Sequence, residues 1–206
     1  MASIYALKAQ FQTLLRPLVH RLHAAGATAN QVTLAAALLS LAAMAVVMWG
    51  APERPMLFLL LPAWMLVRMA LNAIDGMLAR EHGQQSHLGA YLNELCDVVS
   101  DVALYLALLA VPGMAAAPVL LFAGLAVLTE YAGVLGVMVG VARRYDGPMG
   151  KSDRAFLIGV LGVLLAFGWA HAPAVGWALH AGSALCVLTV WRRVSAGLST
   201  ASAARG

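Results

Sequence analysis

The sequence predicts an all-α, polytopic membrane protein with six transmembrane helices preceded by an N-terminal interfacial amphipathic helix. Hydrophobic residues make up 62% of its 206 residues and charged residues only 11%, far below the roughly 25% charge of soluble domains. Runs of about 20 apolar residues, long enough to cross a bilayer, recur along the chain. The formal charge of +4 is not gathered into a basic stripe, so we expect no nucleic-acid partner.

Residues 1–30 are predicted to form the interfacial helix and a linker. Apolar residues recur at helical spacing up to Leu22, with basic residues on the other faces, as in helices that lie on a membrane surface. Pro17 predicts a kink or break near Arg16, because proline removes a backbone donor. The helix is interpreted either as a simple anchor or as the border of a lipid entrance.

The six-helix membrane domain is predicted over residues 31–193, and a short flexible cytoplasmic tail over 194–206. Breaks rich in proline and glycine separate the apolar runs, as expected of turns between helices. The predicted spans are 31–50, 56–78, 88–111, 117–141, 154–171 and 173–192.

The distribution of charge predicts the orientation. Six spans place both termini on one side of the membrane, and that side carries nearly all Lys and Arg residues, whereas the opposite loops carry only Arg54. Because cytoplasmic loops are enriched in Lys and Arg, both termini and any site on their side are expected to face the cytoplasm. The expected location is a bacterial inner membrane.

Acidic and amide side chains gather where the second and third predicted spans adjoin. Asn72 and Asp75 share one side of the first helix, and Asn93 and Asp97 share a face of the next. Carboxylates in such apolar helices are costly unless they are paired, hydrated or bound to a cation. Oxygen ligands without histidine or thiolate suit a hard cation such as Mg²⁺ or Mn²⁺. The cluster therefore predicts a metal site.

Small and basic residues beside this cluster indicate a phosphate-bearing ligand. Gly76 and Ala79 keep the helix surface low, so a nucleotide or pyrophosphate could approach the backbone, and Arg80 could contact its phosphates. Small residues also mediate ordinary helix packing, so each of them alone indicates little.

The stretch from Asn72 to Asp97 resembles the signature of the CDP-alcohol phosphatidyltransferase family. The family's pattern is DxxDGxxARx8Gx3Dx3D, and this chain reads NxxDGxxARx8Gx3Nx3D with unchanged spacing. The segment from Asn30 to Thr33 resembles the family's Pro-Asn-x-x-Thr. The resemblance covers most of the chain and implies a six-helix core, an N-terminal interfacial helix and a homodimer.

This resemblance implies an enzyme of phospholipid biosynthesis, in which an acceptor hydroxyl attacks the phosphorus of a CDP-alcohol, usually CDP-diacylglycerol, and releases CMP. The implied partners are the CDP-alcohol, the hydroxyl acceptor and membrane lipids. Asp97 would be a metal ligand or the general base that takes the hydroxyl proton. The other implied ligands of Mg²⁺ or Mn²⁺ are Asn72, Asp75 and Asn93. The implied lining of the substrate site is Asn30, Thr33, Gly76, Ala79, Arg80 and Gly89.

Two positions depart from the family pattern. Asn72 and Asn93 replace the first and third aspartates, so two negative charges are missing from the implied metal site. The chain could bind one metal where relatives bind two, could pair with a substrate of different charge, or could have lost the activity. Glu94 and Asp101 lie near enough along the helix to restore acidity, although Glu94 could equally point to solvent.

Arg68 and Glu130 are charged residues near the middle of their predicted spans, where a lone charge demands a partner. We expect them to pair across the second and fourth spans, with Asp101 as a possible third member. The pair could fix helix register or contact substrate.

The cytoplasmic loop over residues 143–154 is a second candidate site. Its glycines and proline allow a folded loop, and four cations, Lys151 and Arg154 among them, could hold a phosphate or a polar acceptor. The positive-inside rule alone also explains these charges.

The rival to an enzyme is a catalytically silent membrane protein that keeps the fold as a lipid-binding or scaffold module. A transporter is a third reading, which no internal repeat or pair of broken helices supports. The identity of the acceptor alcohol stays open, and glycerol phosphate, an inositol compound and serine are all candidates.

Overall fold

The computed structural model describes residues 4–203, with side chains from Gln10 onward, and the regular structure in this range is helical. The all-α prediction is therefore confirmed. In chain order the helices are α1 (Ile4–Ala24), α2 (Ala29–Gly50), a 3₁₀ segment (Pro55–Leu59), α3 (Leu60–Glu81), α4 (His87–Leu106), a 3₁₀ segment (Ala107–Ala110), α5 (Ala116–Leu135), a 3₁₀ segment (Gly136–Val139), α6 (Lys151–Ala166) and α7 (Ala172–Ala203).

Four stretches in the described range are long and apolar enough to cross a membrane, and the protein is an integral membrane protein. They are Ala29–Gly50, Pro55–Glu81, Ala116–Val139 and Ala172–Ala203. The other two predicted spans correspond to α4 and α6. Helix α4 carries three carboxylates, and α6 has 16 residues, so α6 is about 24 Å long against a hydrocarbon core of about 30 Å. Six spans therefore stay a prediction.

Helix α1 packs into the core of the first of two compact units, which comprises Met1–Ala42 and Trp64–Ser100. Val19 is fully buried in this unit, and Leu15 and Leu22 pack beside it. Its partners in the core are Ala29, Val32, Ile74, Met77 and Leu78. One face of α1 is therefore covered by protein, while Leu14 and Leu18 stay exposed.

Helix α1 is unbroken through Pro17, so a break near Arg16 is excluded, while a kink there stays a prediction. Proline costs the helix one backbone hydrogen bond. Leu15 and Val19, on either side of it, are held in the same core, and their burial offsets that cost.

The second unit comprises Ala43–Ala63 and Asp101–Gly206. A Cβ added at Gly182 of α7 would lie 2.8 Å from the ring of Phe122 of α5, and one at Gly162 of α6 would lie 2.8 Å from the Phe58 carbonyl. Both distances are too short for a real contact. Glycine at these two positions therefore lets the helices approach closely, as is common in membrane proteins.

Helix α7 continues to Ala203 and so includes residues 194–203 of the predicted tail, whose flexibility stays a prediction. Arg193 and Gly197 lie on one side of this continuation and are buried, which explains why it stays helical. Residues 204–206 of the predicted tail lie outside the described range.

Candidate active site

A cavity of about 470 Å³ opens within the first unit. It lies among the start of α2, the C-terminal half of α3, the loop over residues 82–86 and the start of α4. The predicted site residues that line it are Asn30, Thr33, Asn72, Asp75, Gly76, Ala79, Arg80, Gly89 and Asn93. Residues far apart in the sequence thus surround one space that is large enough for a small ligand.

Side-chain hydrogen bonds cap the two helices that begin at this cavity, α2 and α4. Thr28 and Gln31 form a reciprocal capping box at the start of α2: the Gln31 N–H donates to Thr28 Oγ1 at 3.2 Å, and the Thr28 N–H donates to Gln31 Oε1 at 2.9 Å. At the start of α4, Ser86 Oγ accepts from the Gly89 N–H at 2.9 Å, as an N-cap serine does. The Thr-x-x-Gln spacing is visible in the sequence and could have been used to predict the start of α2.

Gln84 is a residue of the cavity wall that the sequence reasoning missed. Its Oε1 accepts from the Ala29 N–H at 2.7 Å, and its Nε2 donates to the Ala27 carbonyl at 3.4 Å. A single amide therefore joins the α3–α4 loop to the backbone at the start of α2. The local sequence gives one signal of this contact, namely the position of Gln84 just after Gly83. Gly83 forms a turn with a φ of +66°, which favours glycine.

Asp75 is held by a neighbouring helix. It is 5% exposed, and Thr33 Oγ1 of α2 donates to its Oδ2 at 2.7 Å. A buried carboxylate is costly without such donors. Thr33 therefore stabilises Asp75 as an acceptor of hydrogen bonds or as a ligand.

Asp97 contacts two donors on α3. Asn72 Nδ2 donates to Asp97 Oδ1 at 3.0 Å, and Arg68 Nη2 donates to the same oxygen at 3.1 Å. Arg68 is 5% exposed, and removal of one partner from such a buried ion pair costs about 3–5 kcal/mol. Asp97 thus contacts α3, and it is not among the described residues that line the cavity.

Two glycines make room for polar side chains. A Cβ at Gly76 would lie 3.1 Å from both terminal nitrogens of Arg80, so the guanidinium folds over the bare backbone of α3. A Cβ at Gly89 would lie 2.9 Å from Asn30 Oδ1. Both signature glycines therefore allow an approach that any other residue would obstruct.

The donors around the cavity fit a hard divalent cation only with the help of amides. Within residues 4–203, no three His, Cys, Asp or Glu side chains are placed to hold a metal together. Asp75 has a carboxylate, and Asn72 and Asn93, which line the same cavity, each have an amide oxygen. These oxygens are donors that Mg²⁺ and Mn²⁺ accept, and together they could hold one such ion.

A cluster of charges surrounds Glu130 in the second unit. Arg154 Nη2 donates to Glu130 Oε1 at 2.7 Å, and Arg143 Nη2 donates to Oε2 at 2.6 Å. Arg193 Nη1 lies 3.6 Å from Glu130 Oε1, and Asp101 Oδ2 lies 3.8 Å from Arg154 Nη2. Charges that would be costly alone in apolar helices are thereby neutralised. Asp101 belongs to this cluster, which we call the Glu130 cluster.

Arg154 is enclosed within the Glu130 cluster. Its side chain is fully buried, with Nε donating to the Tyr105 hydroxyl at 3.1 Å and Nη1 donating to Thr129 Oγ1 at 2.7 Å and to the Met149 carbonyl at 3.0 Å. A guanidinium so enclosed has no face open to a phosphate arriving from solvent. Arg154 therefore has structural contacts in this fold, and its contact with substrate stays a prediction.

Arg68 and Glu130 each have a partner of opposite charge within their own unit, namely Asp97 for Arg68 and three arginines for Glu130. Neither charge needs the other for neutralisation, and their direct pairing stays a prediction. Glu94 is half-buried on α4, and its supporting role also stays a prediction.

The loop before α6 is folded on its own charges. Arg144 donates from Nε and Nη2 to the two oxygens of Asp146, at 2.9 and 3.1 Å, and these hydrogen bonds lower the pKa of the Asp146 carboxyl. Arg143 and Arg144 of this loop are thus paired with the carboxylates of Glu130 and Asp146. Lys151, half-buried at the start of α6, remains the predicted phosphate contact in this segment.

The sequence profile of the CDP-alcohol phosphatidyltransferase family matches residues 27–191. The chain therefore belongs to this family, and the resemblance seen in its signature is confirmed.

The chain is also similar to individual proteins, in sequence or in fold. The chain is 49% identical over 164 residues to the inner membrane protein YnbA of Escherichia coli (strain K12), which covers 80% of this chain and 81% of YnbA. The fold is similar to that of the phosphatidylinositol phosphate synthase PgsA1 of Mycobacterium tuberculosis. Its complex with manganese and citrate gives a TM-score of 0.72 at 21% identity, covering 88% of each chain. Its structure with CDP-DAG bound gives 0.72 at 20% identity, covering 88% of this chain and 92% of that one.

Proposed function

We propose that the protein transfers a phosphatidyl, or other substituted phosphate, group from CDP-diacylglycerol or a related CDP-alcohol to a hydroxyl acceptor, releasing CMP in phospholipid biosynthesis. One observation carries the proposal: the signature residues other than Asp97 line a single cavity between three helices. PgsA1, which shares the fold, has been solved with CDP-DAG bound.

The residues divide into a nucleotide side and a reacting side. Gly76 and Gly89 leave room for Arg80 and Asn30 to lie close to the backbone beside the cytidine and pyrophosphate. Ala79 keeps the helix surface low, and Arg80 provides charge for the phosphates. The acceptor oxygen attacks phosphorus and its proton passes to Asp97, while the bond from phosphorus to the CMP oxygen breaks and its electron pair leaves with CMP.

Asp75 with Asn72 and Asn93 would hold a divalent cation, Mg²⁺ or Mn²⁺, whose charge would offset that of the pyrophosphate. Support for a metal comes from these oxygen donors and from the manganese bound to PgsA1. Arg68 and Asn72 both donate to Asp97 Oδ1, where a metal ion would compete with them. Asp97 is therefore assigned the role of the proton acceptor and not that of a ligand.

The membrane arrangement is proposed with the activity. Six spans would place both termini and the cavity at the cytoplasmic face of a bacterial inner membrane, the location in the name of the relative YnbA. Leu14 and Leu18, exposed on α1, would rest in the lipid interface. A homodimer is expected from the family resemblance.

The experiment is to incubate the purified full-length protein with CDP-diacylglycerol, Mg²⁺ or Mn²⁺ and a panel of alcohols, and to measure CMP by chromatography. We expect CMP with one class of acceptor, reduced about 100-fold or more by Asp75→Asn or Asp97→Asn. Glu53→Gln, at an exposed acid in the loop after α2, is the control and should leave the rate unchanged.

The second candidate is a catalytically silent lipid-binding module, favoured by the two missing carboxylates at Asn72 and Asn93. Binding of CDP-diacylglycerol that needs no metal, without CMP release across the whole panel, would establish this alternative and refute the enzyme.

A further inference from the structure

Arg68 contributes a positive charge to the site at a position outside the family signature. It donates from Nη2 to Asp97 Oδ1 at 3.1 Å and to the Asp97 carbonyl at 3.3 Å. Asn72, one of the two departures from the signature, donates to the same carboxylate oxygen at 3.0 Å. We propose that the Arg68 guanidinium takes the place of a divalent cation at Asp97, so that this site holds a single metal ion.

The count of charges supports this exchange. The four-aspartate signature would supply four carboxylates, whereas this chain supplies two, Asp75 and Asp97. It places the Arg68 guanidinium beside Asp97 and Arg80 at the cavity wall. Two divalent cations on two carboxylates, beside a buried arginine, would leave a large uncompensated positive charge in an apolar region. One divalent cation with Arg68 brings the site much closer to balance.

Burial makes the arginine a fixed part of the site. The Arg68 side chain is 6% exposed and that of Asp97 is 26% exposed, and Arg68 belongs to a span of high hydropathy, Pro55–Glu81. A guanidinium in such surroundings needs its carboxylate, because an unpaired buried charge is strongly unfavourable. A cation that bound to Asp97 Oδ1 would have to compete with Arg68 for that oxygen.

The amide of Asn72 suits the same arrangement. An aspartate at this position could not donate to Asp97 and would repel it, whereas the amide donates from Nδ2 and keeps its oxygen as an acceptor. Asn72, Asn93 and Asp75 all line the cavity, so their oxygens could together bind one ion. Arg68 is therefore a positioning residue for Asp97, and the two asparagines are part of a one-metal site.

The experiment counts Mn²⁺ bound to the full-length protein in detergent, by the loss of the free Mn²⁺ signal in electron paramagnetic resonance. We expect one Mn²⁺ per chain in the wild type and two in the double variant Arg68→Met with Asn72→Asp, which restores an acid and removes the competing charge. Arg68→Lys keeps the charge and should keep one ion. Arg21→Met, at an exposed arginine of α1, is the control for loss of a charge.

Two ions, or none, in the wild type would overturn the proposal, as would one ion in a double variant that retains the wild-type circular dichroism spectrum. A wild-type count of two or of none would overturn the proposal even where the double variant does not fold. The inference rests on the proposed function for its choice of metal, but its readout requires no turnover. Failure of CMP release with one bound Mn²⁺ would refute the activity alone.

Discussion

Thr33 of α2 and Asp75 of α3 are joined by a hydrogen bond of 2.7 Å between two buried side chains. The threonine of the Asn-x-x-Thr segment and the second acid of the signature are therefore parts of one site, although 42 positions separate them in the sequence. The bond fixes Asp75 from outside its own helix.

Removal of this donor should impair catalysis. Thr33→Val keeps the shape but leaves Asp75 without its hydroxyl partner, and a hydrogen bond to a charged group contributes about 1.5–3 kcal/mol. We expect the kcat/KM for CDP-alcohol to fall about tenfold or more. Thr33→Ser, which restores the hydroxyl, should recover most of the rate; equal loss in both variants would contradict the role given to the bond.

Gln84 should affect substrate binding more than the chemical step, because it holds the start of α2 and not the reacting groups. Gln84→Ala is expected to raise the KM for CDP-diacylglycerol several-fold with a smaller change in kcat. Gln84→Glu should have a smaller effect than the alanine variant, since a carboxylate still accepts from the Ala29 N–H although it cannot donate to the Ala27 carbonyl. Gln10→Ala, at an exposed glutamine of α1, serves as the control, and steady-state kinetics separate the two constants.

Gly89 should not tolerate a methyl group. In Gly89→Ala the new Cβ would meet Asn30 Oδ1 at 2.9 Å and Ser86 Oγ at 3.0 Å, so both side chains must shift at the cavity wall. Affinity for a CDP-alcohol, measured by calorimetry, should decrease. Gly124→Ala is the matched control, because nothing lies within 4 Å of the added Cβ; similar affinities in the two variants would show that the contact at Gly89 is unimportant.

Arg154 should matter for stability. Arg154→Met removes the central cation of the Glu130 cluster and leaves buried carboxylates without it, a loss of about 3–5 kcal/mol for a broken buried pair. We expect a clearly lower melting temperature in detergent. Arg192→Met, at an exposed arginine of α7, should change it little. A wild-type melting temperature for Arg154→Met would refute the structural role and reopen a contact with substrate.

Protonation of His82 should loosen α1 from the loop that follows α3, because His82 contacts two histidines of α1. His82 stacks on His23 with ring centroids 3.9 Å apart and meets His20 edge-on at 5.5 Å. Burial, followed by His23 and His20, lowers the pKa of His82 below its usual 6.5, whereas Glu81 acts in the opposite direction. The folded state therefore prefers neutral His82, so its stabilisation is present above about pH 6.5 and is lost as pH falls.

Cleavage of α1 by a protease, compared at pH 8 and pH 5, tests this dependence. Cleavage should be faster at pH 5 in the wild type and less sensitive to pH in His82→Phe, which keeps the stacked ring without its charge. His180→Phe, at an exposed histidine of α7, should retain the wild-type dependence. An unchanged dependence in His82→Phe would exclude the histidine group as its source.

Helical spacing explains why many of the residues that line the cavity could be grouped from the sequence. Asn72, Asp75, Gly76 and Ala79 share a side of one helix whatever its neighbours are, and the signature spacing then brings in Gly89. The contacts of Gln84 with the Ala27–Ala29 backbone could not be predicted, because they join a loop to a distant segment. Helical period specifies a face but not the residue that the face meets.

Errors arose where burial decided the outcome. Arg154 follows a polar loop and reads as a surface cation, yet the packing of α5 and α6 encloses it. Pro17 reads as a helix breaker, yet the burial of Val19 maintains α1. In both cases tertiary packing, which a single sequence does not display, outweighed a correct local tendency.

Val19 covers an apolar surface made by Val32, Ile74 and Met77, the chain neighbours of the cavity residues Thr33, Asp75 and Gly76. A shortened chain that began after α1 would expose this surface, and Glu81 would lose Arg16, its partner at 2.9 Å. Such a chain would be prone to aggregate during extraction from the membrane. Trimming for crystallisation should therefore start at the C-terminus and leave the first helix intact.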